Sequence, residues 1–142
     1  MRTLSMLVML FALLIGYHPA PAAEKASLYE ALGERQGIAT IVEDMLYRIV
    51  DDPRIAKQFK GVDIAQLHQH LTDQVCNISG GPCAYTGRDM REAHTGLDIS
   101  ETGFNALVED LILSMEKNDI PVGAQNELLS LLVPMHGDIV GH

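Results

Sequence analysis

Along most of the chain, apolar positions recur every three or four residues rather than every two, which predicts helices and no long strand. The first residues are different. "MRTLSMLVMLFALLIGYHPAPAAEK" holds one basic residue, Arg2, then an apolar run over about residues 6–17, then small residues and prolines. That order is a secretory signal peptide over residues 1–22, with a small-x-small cleavage site at Ala20-Pro21-Ala22. The run is shorter than the roughly 20 residues a membrane span needs, so stable membrane insertion after cleavage is not expected. An uncleaved anchor is the alternative.

In the remaining domain, 23–142, Ser27 and Glu30 have the spacing of a capping box for a short first helix, which Gly33 and Gly37 are expected to break. A second helix then carries Ile38, Ile41, Val42, Met45, Leu46 and Ile49 on one face and ends at Asp51-Asp52-Pro53. A brief turn with Ile55 and Phe59 follows. Asp63 is placed to cap a helix with an apolar stripe of Ile64, Leu67, Leu71, Val75 and Ile78, stopped by Gly80-Gly81-Pro82. A short segment through Met90 and His94 comes next, closed by Gly96. Ser100 caps a long helix with Phe104, Leu107, Val108, Leu111, Ile112 and Met115. Pro121 opens the last helix, which Pro134 bends or ends. The fold class is therefore all-α, with helices meeting at glycine-marked corners.

Roughly 120 residues make one domain with enough chain for a real core. The net charge of −9 becomes one unit more negative once Arg2 is removed, which disfavours nucleic acid as a partner. Both cysteines, Cys76 and Cys83, lie in the exported part across "CNISGGPC". Two states fit them: a disulfide, for which the glycine-proline turn is suited, or two free thiols. They do not form C-x-x-C-H, which excludes covalent c-type haem attachment.

Five histidines follow the leader: His68, His70, His94, His136 and His142. "LHQHL" places His68 and His70 on opposite flanks of their helix stripe, and periodicity slightly favours His68 as the inward one. His94 sits among apolar and small residues, where a neutral imidazole can ligate a metal. Two helical histidines separated by a glycine turn suit an iron held from both sides of a haem plane. Any one of them alone reads more simply as a hydrogen-bonded structural residue. A zinc site would need closer spacing, as in H-E-x-x-H, which is absent.

At "GGPCAYTGRDMREAHTGLDI" the sequence resembles the group I truncated haemoglobins, all-α proteins of two-on-two globin fold. The likeness extends through "SLYEALG", "IVEDMLYRIVDDPRI", "FKGVD" and the last two helices. It implies haem b as cofactor, with His94 as the proximal iron ligand and Phe59 stacked on the haem. Gly33, Gly80 and Gly81 fall on the family's glycine hinges, whereas Glu34 replaces a second glycine at the first corner. Leu46 stands where many members have a tyrosine that hydrogen-bonds the gaseous ligand, with Tyr47 one step out of register, and Leu71 replaces a frequent glutamine. The resemblance puts His70, not His68, on the distal histidine that binds iron as a sixth ligand in cyanobacterial and some algal members. Leu67, Tyr85 and Met90 complete the expected cofactor-binding set, and Arg88, Arg91 and Lys60 are candidates to meet the haem propionates. His136 aligns with a histidine that in some relatives bonds covalently to a haem vinyl group; a surface histidine beyond Pro134 is the other reading.

By this resemblance the protein is expected to bind diatomic gases (O2, NO, CO), in oxygen binding or transport or in detoxifying reactive nitrogen or oxygen species. Whether it turns over as an enzyme is left open by the sequence: the candidates are activity like that of a nitric oxide dioxygenase, with an electron-donor reductase as partner, or like that of a peroxidase. A haem electron carrier or a redox or gas sensor is the alternative, and a haem-free interaction domain is a third. The leader makes an exported, periplasmic location the expectation.

Overall fold

The computed structural model describes residues 25–142, so the signal peptide expected over residues 1–22 lies outside the described residues. Helix α1 (Leu28–Ala31) begins at the expected capping box: the Ser27 hydroxyl accepts from the Glu30 amide, and the Glu30 carboxylate accepts from the Ser27 amide at 2.8 Å. Helix α2 (Glu34–Asp51) starts four residues earlier than the expected Ile38, running through Gly37. Gly37 does not break the helix. Its missing side chain instead lets the first turn of α2 press on the end of α1, because a Cβ there would strike the Leu32 carbonyl oxygen. At the same corner Glu34, which replaces a glycine of the family pattern, itself takes a left-handed φ of 57°.

After a 3-10 turn (Ala56–Phe59), α3 (Ile64–Ile78) is capped by Asp63, whose carboxylate accepts from the Gln66 amide at 3.0 Å. A loop leads to α4 (Met90–His94), capped by Asp89, and then to α5 (Glu101–Lys117), capped by Ser100. Helix α6 (Val122–Leu132) follows Pro121 and gives way at Pro134 to a 3-10 turn (Val133–Met135) and α7 (His136–Ile139). Among the described residues no helix is long and apolar enough to cross a membrane.

Helix α2 packs against both α3 and α5. Its stripe of Ile38, Ile41, Val42, Met45, Leu46 and Ile49 is wholly buried, as the periodicity predicts, and meets Ala106, Leu111 and Met115 of α5 and Leu28 and Leu32 of the first corner. The buried Ser114 hydroxyl donates to the Ile41 carbonyl at 2.6 Å and fixes the α2–α5 register. Helix α3 departs from expectation: its most buried residues are Thr72, Gln74 and Cys76, while Ile64 is exposed and Leu67, Leu71, Val75 and Ile78 are half-buried. The stripe is not turned wholly into the core, because α3 is a wall between α2 and a cavity.

Candidate functional site

The cavity has a volume of about 460 Å³ and is enclosed by α3, the 3-10 turn of Phe59, the loop of Tyr85 and Arg88, α4 and α5. Leu67, His70, Leu71 and Gln74 line it from α3, at helical spacings of three and four that put them on one face. Met90, Ala93 and His94 line it from α4, with Phe59, Leu107 and Phe104 adding apolar surface. Its size falls in the roughly 300–1,000 Å³ of cofactor sites, and an apolar wall with few polar groups is their usual make-up.

His94 is held by its own helix. Its Nδ1 lies 2.7 Å from the Met90 carbonyl oxygen. A carbonyl only accepts, so Nδ1 carries the hydrogen and Nε2 keeps its lone pair, the tautomer a metal ligand requires. His70 is a cavity residue whose ring meets that of Tyr85 edge-on, with centroids 6.4 Å apart. Among the described residues no hydrogen bond engages the His70 ring. His68 points the other way: its Nε2 donates to the Ala39 carbonyl of α2 at 2.9 Å. The two histidines of "LHQHL" are thus divided between packing and cavity.

The cavity includes Phe59, Leu67, His70, Leu71, Tyr85, Met90 and His94 of the expected site residues. It does not include Leu46, which is 5% exposed in the core, or His136. The His136 ring lies edge-on to Phe104 at 4.7 Å, and its Nε2 is 3.0 Å from a Glu101 carboxylate oxygen. Since Phe104 lines the cavity, His136 sits one layer behind. Of the cationic candidates Arg88 is at the cavity, whereas Arg91 pairs with Asp138 at 2.9 Å and Lys60 is not a lining residue. The Tyr85 hydroxyl donates to the Arg88 carbonyl at 2.7 Å, and burial of the phenol raises its pKa.

Sequence reading missed Gln74. This buried amide lines the cavity and turns its nitrogen toward the sulfurs of Met90 and Met135, at 3.5 and 3.7 Å. Its spacing of four from His70 was the available signal. A polar residue in an apolar stripe reads as solvent-facing until the neighbouring helices are placed.

A flat iron macrocycle suits this donor set: two imidazoles free at a nitrogen, apolar walls, an aromatic face and a cation at the edge. Fold and cavity together define a globin with a haem site. The family model described as "Bacterial-like globin" matches residues 27–140. The group 1 truncated haemoglobin of Synechocystis sp. is 32% identical over 100 residues, covering 68% of this chain and 81% of that one. The Fe(III) truncated haemoglobin structure of Tetrahymena pyriformis matches at a TM-score of 0.79 and 26% identity, over 82% of this chain and all of that one. The 2/2 haemoglobin of Synechococcus sp., solved in the cyanomet state with covalently attached haem, matches at a TM-score of 0.76 and 28% identity, over 81% of this chain and 98% of that one. The chain belongs to the bacterial-like globins, in the group 1 truncated haemoglobin family of haem- and gas-binding proteins.

Proposed function

We propose that this protein is an exported, periplasmic haem b globin in which His94 is the proximal ligand and His70 the sixth ligand, so that gaseous ligands enter only when His70 moves aside. The observation that carries the reading is the His94–Met90 hydrogen bond, which presents Nε2 from one wall of a cavity that also holds His70. Bound haem supplies reversible binding of diatomic gases and one-electron redox chemistry. The chain's own residues set the terms. Phe59 and the leucines of α3 exclude water, and Arg88 meets an anionic edge. His70 imposes an opening cost on every incoming ligand, lowering apparent affinity by the fraction of time it is away.

With Leu46 in the core and Leu71 on the wall, the expected tyrosine and glutamine donors are missing. Tyr85 commits its hydroxyl to the Arg88 carbonyl, and His70, Arg88 and glutamine amides such as Gln74 are the donors that line the cavity. That favours chemistry less dependent on a strong donor, such as nitric oxide detoxification with an electron-donor reductase, over durable oxygen storage. Electron transfer or redox sensing is the second reading, favoured by the same pair of imidazoles because the coordination stays unchanged between oxidation states. Glu101 engages the Nε2 of His136, which supports haem b held without a covalent bond there. Haem titration of the mature chain tests this: one haem per chain, extractable into acidified acetone, is expected. Failure to saturate at one per chain overturns the reading, and haem that resists extraction overturns its non-covalent part.

A further inference from the structure

Helix α3 carries His70 on the cavity wall and, six positions on, Cys76, whose sulfur is joined to that of Cys83. The disulfide folds the loop over residues 79–89 back onto its own helix. The Gly81 amide donates to the Cys76 carbonyl at 2.8 Å, and the Asn77 amide to the Cys83 carbonyl at 3.0 Å. Two residues beyond Cys83, the loop lays the Tyr85 ring against His70. One helix therefore holds both the distal imidazole and the anchor of the loop that presses on it.

The two sulfurs are not equivalent. Cys76 has no exposed surface, whereas Cys83 is half-buried. Arg35, paired with Asp73, places Nη1 3.2 Å from the Cys83 sulfur. A guanidinium beside a sulfur favours the thiolate, so a mixed disulfide formed at Cys83 releases that sulfur readily.

We propose that Cys76–Cys83 is a reducible latch that sets how firmly Tyr85 holds His70, and so how readily His70 moves aside; the inference rests on the reading of His70 as sixth ligand. A dithiol is the reductant. One of its thiolates attacks the accessible Cys83 sulfur, the Cys76–Cys83 bond breaks, and Cys76 leaves with the electron pair and takes a proton. The second thiol of the donor then attacks the mixed disulfide, releasing Cys83 beside Arg35 and leaving the donor as a disulfide. Two electrons and two protons pass to the protein. In the reduced chain the loop keeps the Asn77 tie but loses its covalent one, and Tyr85 is no longer fixed on His70. An oxidising compartment closes the latch and a reducing one opens it.

The test compares the haem-loaded chain oxidised, after dithiothreitol reduction and removal of the reductant, and after reoxidation. Amide hydrogen exchange over residues 79–89 and the rate of cyanide capture by the ferric protein are read in each state. Reduction is expected to speed exchange in that loop. It should also raise the capture rate roughly threefold to tenfold, the scale of losing one aromatic edge contact, with both changes reversed on reoxidation. A Tyr85→Leu variant should be fast in both states with its disulfide intact. Low-spin iron with equal exchange and equal capture in both states overturns the latch while leaving the six-coordinate reading standing. A high-spin ferric spectrum in the oxidised protein overturns both.

Discussion

The His94 ring donates from Nδ1 to the carbonyl oxygen of Met90, one turn earlier in the same five-residue helix. This bond fixes tautomer and ring direction before any cofactor arrives, which is how metal-binding histidines are usually oriented. A helix as short as α4 has little stability of its own. The Asp89 cap and the Arg91–Asp138 ion pair hold it in place.

Replacing His94 by glycine is expected to weaken haem binding by more than the roughly 10- to 100-fold that loss of an outer-shell partner costs. Free imidazole should restore the wild-type spectrum. Titration of haem into wild type and His94→Gly measures both effects; equal affinities would place the iron ligand elsewhere.

His68 and His70 should separate cleanly. His68→Ala leaves the Ala39 carbonyl without its side-chain partner and is expected to cost about 1 kcal/mol of stability, with an unchanged haem spectrum. Denaturant midpoints and spectra of the same samples decide this, and a spectral change in His68→Ala would mean that the division of roles is wrong.

The first corner is strained where the family pattern has glycine. Glu34 at φ 57° bears the penalty that a side chain meets in the left-handed region, so Glu34→Gly is expected to stabilise the fold by about 0.5–1 kcal/mol. Urea unfolding reads the sign directly.

Asp110 of α5 is 5% exposed, with Oδ2 lacking a hydrogen-bond partner. Burial, then the charge of Asp52, raises its pKa against the opposing pull of Arg54 and Arg48, with Glu109 adding to the rise. A carboxyl whose folded-state pKa is raised favours folding when protonated. That contribution is complete below the ordinary carboxylate pKa and lost as pH rises through the folded value. Asp110→Asn removes the charge, so its Tm advantage should be present at neutral pH and shrink on acidification. A pH-independent difference would mean that the buried charge is not its source.

The elements with strong local chemistry were legible in the sequence. The Ser27 box, the caps at Asp63 and Ser100 and the α2 stripe lie where residue types alone put them. Gly37 misled because a glycine needed for close approach looks the same in a sequence as one that ends a helix. The orientation of α3 was hidden for a related reason: its cavity-facing side mixes Leu67 and Leu71 with His70 and Gln74, and only the positions of α2 and α4 reveal which side is the wall. The resemblance put His70 on the cavity side, where periodicity had leaned to His68. The open state of Cys76 and Cys83 is resolved as a disulfide, which spacing alone did not decide.

The most direct test of six-coordinate ligation is the optical spectrum of the ferrous haem-loaded protein beside that of its His70→Ala variant. Sharp, split low-spin bands in the wild type that become high-spin in the variant are the predicted result. A wild type that is already high-spin, or a variant that stays low-spin, would contradict the assignment of His70 to the iron.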